Sequence, residues 1–224
     1  MKQKHLALLI PHTDTTLEAD LTAGLPEGWV YHSHRMHLDE VGEEAEKRMV
    51  DECLPLGLRQ LKGIIPFDAA IFGCTSASAV YGKEGLEWIH RQLKEELNCP
   101  AISAFGAVKG RIEAAGSPPL ALLTPYSREV NAFFVNSLAV FGITTVFCTG
   151  LGLVQDPEIA ACPPEKIRQF VLGNKEAILA SGAGMVLVSC TNLQACALRQ
   201  ELEQELGLPV ITSNQCLLDW IKAL

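Results

Sequence analysis

The sequence predicts an α/β protein made of two copies of one parallel-sheet unit, and three observations carry the prediction. Short apolar runs alternate with helix-patterned segments, an order that builds parallel sheets. Two of the runs, Ala69-Ala70-Ile71-Phe72 and Met185-Val186-Leu187-Val188, end in matching loops: Gly73-Cys74-Thr75-Ser76 and Ser189-Cys190-Thr191-Asn192. Around these loops the chain repeats itself. Leu6-Ala7-Leu8-Leu9-Ile10-Pro11 returns as Leu120-Ala121-Leu122-Leu123-Thr124-Pro125, and Pro100-Ala101-Ile102-Ser103 returns as Pro209-Val210-Ile211-Thr212. The landmarks keep their order and nearly their spacing, so a duplicated lobe follows. A pseudo-dyad would bring Cys74 and Cys190 to one cleft from opposite sides.

In chain order, the first strand covers residues 5–10, and Pro11 to Thr16 form a polar loop. Thr15 or Thr16 can cap a helix that begins near Leu17. Residues 29–34 read as the second strand. The segment 40–61 reads as a helix kinked near Pro55, whose ring and missing N–H disturb the preceding turn. Strand three (68–72) leads to Cys74, with a helix expected over 86–97. Strand four (100–103) and a helix to about residue 115 complete the lobe. Ser117-Pro118-Pro119 marks a linker. The second lobe repeats the plan, with strands at 120–123, 144–148, 185–188 and 208–212 and helices at 127–141, 165–180 and 193–206. A last helix, 215–224, is expected to pack back on the first lobe. The expected division is therefore 1–116 with 213–224, and 117–212.

Composition narrows the function. The net charge of −8 and the lack of a Lys/Arg cluster argue against a nucleic-acid surface. No run of 18 apolar residues is present, and the short apolar stretch after His5 is no signal peptide, so a cytoplasmic protein without membrane contact is expected. The eight cysteines form no C-x-x-C pair, which fits a reducing compartment and leaves metal sites and disulfides without support. His32, His34 and His37 gather at the second strand but lack a further ligand, so they read as a solvated edge. His12 is the repeat counterpart of Tyr126. Gly150-Leu151-Gly152 lacks the third glycine and the downstream acid of a dinucleotide loop. Arg128 and Lys109 are candidate carboxylate partners that read first as surface cations.

The chemistry rests on the two cysteines, each where a parallel strand ends, the place ligands take in such sheets. Two thiols of similar acidity suit removal of a proton from one face of a carbon and its return to the other. A free thiol titrates near 8.5; a helix N-terminus and one charge-assisted hydrogen bond together supply the roughly 2 kcal/mol needed to lower it usefully. A bound carboxylate would compete for the same N–H groups, offered through Thr75, Ser76, Thr191 and Asn192. The thiolate is then expected to form when the closed site assembles.

Four stretches carry a family resemblance: the loop Pro11 to Asp20, Gly-Cys-Thr-Ser at 73–76, Thr124-Pro125-Tyr126 with Glu129-Val130-Asn131, and Ser-Cys-Thr-Asn at 189–192. On these the chain resembles the aspartate/glutamate racemase superfamily, and within it the branch of maleate cis-trans isomerases and arylmalonate decarboxylases. The resemblance implies two Rossmann-like lobes, no cofactor, a homodimer, and a small carboxylate held by Thr75, Ser76 and Tyr126 between the catalytic Cys74 and Cys190. Cys74 stands where the decarboxylases have glycine, which disfavours that activity. Asp14 and Asp156 stand where maleate isomerases place asparagines. A second substrate carboxylate would be repelled there by roughly 4 kcal/mol at 4 Å unless the aspartates were protonated. The expected function is therefore a cofactor-independent isomerase of the amino-acid or hydroxy-acid racemase type, with Asp14 or Asp156 meeting an amino or hydroxyl group. Cis-trans isomerisation through a cysteine adduct, decarboxylation, and carboxylate binding without turnover are the alternatives.

Overall fold

Eight strands form where the apolar runs lie, and they divide into two sheets. The structure, a computed structural model, describes residues 3–224. The first sheet holds β1 (Lys4–Pro11), β2 (Trp29–Met36), β3 (Ala69–Phe72) and β4 (Ala101–Ser103), in the spatial order β2-β1-β3-β4. The second holds β5 (Leu120–Thr124), β6 (Thr145–Gly150), β7 (Met185–Val188) and β8 (Val210–Thr212), in the order β6-β5-β7-β8. Every pairing is parallel. The two orders coincide when β1 is matched with β5, so the duplication read from sequence is a duplication of topology. In each sheet the chain reverses its direction of growth between the two central strands. A crevice opens at the carboxyl ends of such strands. The loops after β1 and β3 meet there in one lobe, and those after β5 and β7 in the other.

The helices follow the strands pairwise. β1 leads to α1 (Leu17–Gly24), and β2 leads to α2 (Glu43–Arg48) and α3 (Leu54–Leu61). β3 leads to α4 (Thr75–Val80) and α5 (Gly82–Leu97), and β4 to α6 (Ala104–Ala114). In the second lobe come α7 (Arg128–Val140) after β5, then α8 (Asp156–Ala160), α9 (Pro164–Gly173) and α10 (Lys175–Ala180) after β6. α11 (Arg199–Leu206) follows β7, and α12 (Ser213–Lys222) follows β8 and lies against α6 and α1 of the first lobe.

Three helices differ from the sequence expectation, each for a local reason. The kink before Pro55 is a π turn, Met49–Cys53, joining α2 to α3 without a break. The wider turn relieves the clash between the proline ring and the carbonyl four residues back. The helix expected over 165–180 divides at Asn174, whose Nδ2 donates to Phe170 O at 2.7 Å and competes with the backbone ladder. The helix expected from Leu193 begins only at Arg199, after a 3₁₀ turn at Cys196–Leu198. The Asn192 carbonyl accepts from Thr16 Oγ1 at 3.0 Å and is turned away from a helical role.

Strand alternation assigns the core. Leu6, Leu8 and Ile10 of β1 face a core shared with β5 and β7, including Leu120, Leu122 and Val186. Ala7 and Leu9 face the other way, onto Met49, Leu54 and Ile89. The shared core holds the two lobes together, each fully buried Leu or Ile contributing about 1.5–3 kcal/mol.

Candidate functional site

Cys74 and Cys190 lie at the facing strand ends of the two lobes, and the loops that carry them are tied to each other. Thr191 Oγ1, next to Cys190, donates to Gly73 O, next to Cys74, at 3.2 Å. A second tie runs from Thr75 Oγ1 to Ser213 Oγ at 3.3 Å and from there to Ser189 Oγ at 3.0 Å. Gly73 fits a close approach within its own lobe. A Cβ there would sit 2.6 Å from Leu17 Cδ2 and 2.8 Å from Ile10 Cγ2.

The third strand-end loop brings Tyr126. Thr124 Oγ1 donates to Asn131 Oδ1 at 2.6 Å and accepts from Tyr126 N at 3.0 Å, fixing the turn. Gly150 permits it, because a Cβ at that position would lie 2.2 Å from Tyr126 O. The glycines at 150 and 152 thus serve packing and turning rather than phosphate binding. Tyr126 is 2% exposed, and its phenol lies in the electrostatic field of both thiols, that of Cys190 most strongly. Burial holds the phenol well above its usual pKa, with Cys190 and Cys74 adding to the effect.

The fourth loop, after β1, carries Asp14. Its Oδ1 accepts from Thr16 N at 3.0 Å and Leu17 N at 2.9 Å, while its Oδ2 is buried without a partner. Burial raises Asp14 to about 6, outweighing the backbone N–H groups that favour the carboxylate; the charge of Asp156 adds to the rise. Asp156 opens the short helix α8 and accepts from Thr13 Oγ1.

Asn192 closes the arrangement. Its Oδ1 accepts from Thr15 N at 3.0 Å, and its Nδ2 donates to Thr13 O and Asp156 O, each at 3.2 Å. Two of these bonds join the β1 loop to the second lobe, and the third holds the start of α8. Ser76, at the equivalent place, keeps its hydroxyl near Cys74 Sγ at 3.7 Å.

Both thiols are neutral at rest. Burial pushes Cys74 well above the usual thiol range, against the Ala77 N–H and the Ser76 hydroxyl, which pull it down. Burial raises Cys190 as well, with Asp156 adding to the rise and Tyr126 opposing it. The helix N-terminus invoked from sequence is real at Cys74 and absent at Cys190, and at neither does it overcome desolvation. The site is closed, since Cys74, Thr75, Ser76, Tyr126, Cys190, Thr191, Asn192, Asp14 and Asp156 are all buried.

Sequence reasoning missed Glu46. This residue of α2 is fully buried, neither carboxyl oxygen has a partner, and burial raises it to about 8. Its charge acts on Cys74 and on Tyr126. A signal was present: Glu46 precedes the buried Met49 and Val50 by three and four residues, which puts it on the apolar stripe. The run Glu43-Glu44-Ala45-Glu46 conceals it as a charged face.

The remaining candidates lie elsewhere. His5 Nδ1 meets His32 Nε2 at 3.0 Å, and His12 Nδ1 accepts from Leu38 N at 3.1 Å. Lys109 pairs with Glu113 at 2.7 Å, and Arg128 lines a surface groove on α7 and β6. Among the described residues no cluster suits a metal ion, and no helix is long and apolar enough to cross a membrane.

A family model described as Asp/Glu/Hydantoin racemase matches residues 56–220. Among curated relatives, the maleate isomerase of Geobacillus stearothermophilus is 22% identical over 225 residues, covering 95% of this chain and 88% of that one. The maleate isomerase of Nocardia farcinica is 22% identical and covers 94% of this chain and 85% of its own length. Among solved structures, a cysteine-to-serine mutant of the Nocardia farcinica maleate cis-trans isomerase with a covalently bound succinylcysteine intermediate superposes with a TM-score of 0.88. It shares 20% identity and covers 98% of this chain and 91% of that one. A liganded double mutant of arylmalonate decarboxylase also gives 0.88, at 21% identity, covering 99% of this chain and 92% of that one. These likenesses show the two-lobed α/β fold.

Proposed function

Given that the chain belongs to the Asp/Glu/hydantoin racemase family of isomerases, we propose that it isomerises the double bond of a small unsaturated dicarboxylic acid, without a cofactor, through a transient adduct on Cys74. The observation that carries this reading is the pairing of two buried thiols across loops tied by the Thr191–Gly73 hydrogen bond, with Tyr126 in reach of both. The maleate isomerases that align with nearly the whole chain favour an alkene over a stereocentre as the reacting group.

The reactive form has one proton between the thiols. Cys74 takes the thiolate role in this reading, because it stands at the N-cap position of α4, where the Ala77 N–H favours its charged form, and because neutral Glu46 places no charge beside it below about pH 8. Its sulfur adds to one alkene carbon, forming C–S and breaking the π bond. The electron pair takes a proton from Cys190 at the neighbouring carbon. The new single bond rotates, Cys190 thiolate removes that proton, and the Cys74 thiolate leaves as the double bond re-forms in the other geometry. Atoms and charge return to the starting state. Thr75, Ser76 and Tyr126 hold one carboxylate of the substrate, as the family likeness implies. Thr191 and Asn192 act by positioning, since their side-chain groups are engaged in the ties between lobes.

Asp14 supports a dicarboxylate more than its charge suggests. Protonated, it presents a hydrogen-bond acceptor to Thr16 and Leu17 and a free O–H on the other side, as an asparagine presents its N–H. Its raised pKa makes that form accessible at the acid side of neutrality, and a bound anion raises it further. The repulsion expected from sequence is thereby removed.

One observation favours racemisation as a second reading: Asp14, Glu46 and Asp156 would suit an ammonium group if ionised. Incubation with maleate and with a panel of chiral amino and hydroxy acids in deuterium oxide decides between them. Conversion of maleate to fumarate, and a protein mass increase equal to the substrate in the Cys190→Ser variant, are expected. Deuterium entering the α position of an amino or hydroxy acid, with maleate unchanged, would replace this reading with racemisation.

A further inference from the structure

We propose that Glu46 is a substrate-contacting specificity residue, donating a hydrogen bond from its carboxylic acid to a carboxylate oxygen of the substrate on the Cys74 side of the site. The proposal rests on the dicarboxylate reading above and adds to it a donor for the carboxylate beside Ser76 and Tyr126.

Three observations carry it. Glu46 is fully buried, and neither carboxyl oxygen has a partner, a state a folded protein tolerates where a ligand completes the bonding. Its surroundings are the site itself. Ser76 is close enough to favour its charged form, and Cys74, Tyr126 and Asp156 all share its electrostatic field. The backbone brings these elements together, because Val41 N, just before α2, donates to Val154 O, just before α8, at 3.0 Å.

The sign of the contact follows from the charges present. Those acting on Glu46, Cys74, Cys190 and Tyr126 are all negative. Arg35 is turned outward, donating to His12 O and Asp14 O and pairing with Glu18. With no cation acting on these groups among the described residues, an anion is held by neutral donors, and burial keeps Glu46 neutral below about pH 8. The other titratable groups near α2 lie at its outer side: Glu43 with Lys47, Arg48 with Asp39, and Tyr81 with Asp51. The titratable groups of neighbouring elements that share its field are Cys74, Tyr126 and Asp156. Neutral Glu46 is the binding form, so anion affinity is present below its pKa and declines as pH rises through it. Asp14 adds a separate decline near 6 that does not involve Glu46.

Maleate binding to the wild type, Glu46→Gln and Glu46→Ala, measured by calorimetry from pH 6 to 9 in two buffers of different ionisation heat, tests this. The wild type is expected to take up a proton on binding near pH 8 and to lose about tenfold in affinity per pH unit above it. Glu46→Gln, which keeps a donor that cannot ionise, is expected to lose both the uptake and the upper decline. Glu46→Ala is expected to bind about tenfold more weakly at pH 6. A Glu46→Gln profile parallel to the wild type, or Glu46→Ala affinity equal to it, overturns the proposal while leaving the isomerase reading intact. Affinity for aspartate that rises through pH 8 in the wild type alone overturns it in favour of ammonium recognition. Wild-type protein that binds no maleate at pH 6 overturns both.

Discussion

The two cysteine loops began as copies and have divided the work between them. In the first lobe Cys74 stands at the N-cap position of α4, and Ser76 keeps its hydroxyl near the thiol and near Glu46. In the second lobe the chain after Cys190 runs through irregular turns, and Asn192 binds the β1 loop through two side-chain hydrogen bonds and its carbonyl, while a third side-chain bond reaches Asp156 O. The small side at 73 is a glycine pressed by Leu17 and Ile10, whereas 189 carries a serine engaged with Ser213. One copy leaves the Ser76 hydroxyl outside the ties between loops; the other spends Asn192 on them. Duplication supplied two equivalent thiols, and divergence of their neighbours made them chemically unequal.

The largest expected effect breaks the equivalence of the thiols. Cys74→Ser and Cys190→Ser are each expected to lower kcat by about 10²–10⁴-fold. Mass spectrometry separates them, because only Cys190→Ser retains the nucleophile and accumulates adduct. Adducts in both variants, or adduct only in Cys74→Ser, would make the assignment of roles wrong.

Stability separates the neighbours. Asn192→Ala leaves Thr15 N, Thr13 O and Asp156 O without partners, and a loss of about 3 kcal/mol in urea unfolding is expected. Ser76→Ala removes no tie between lobes and is expected to cost under about 1 kcal/mol while raising KM. Equal losses at the two positions would mean that the loops still serve one purpose.

The smallest effect exchanges the residues before the cysteines. Gly73→Ser is expected to cost about 1–3 kcal/mol from overpacking against Leu17 and Ile10. Ser189→Gly is expected to cost about 1 kcal/mol, from one lost hydroxyl contact and added chain entropy. Thermal unfolding of the two variants gives the comparison, and a milder effect at 73 would contradict the close packing there.

Much of this fold was legible because parallel strands buried on both faces are written as continuous apolar runs, and β1, β3, β5 and β7 all are. The cysteine loops were legible because they follow those runs directly. Less legible were the start of α11 and the division at Asn174, where a carbonyl or side chain is spent on a distant or local partner that periodicity does not encode. Glu46 was hidden by its charged neighbours although its helical phase placed it inward.

The order of residues alone settled the alternation of strands and helices, the repeat, and the placing of Cys74 and Cys190 at strand ends, since each depends on local period and spacing. Protonation was decided only by folding. Desolvation by both lobes raises the thiols, lifts Asp14 to about 6 and Glu46 to about 8, and leaves Glu46 a hydrogen-bond donor at neutral pH and Asp14 one on the acid side of it.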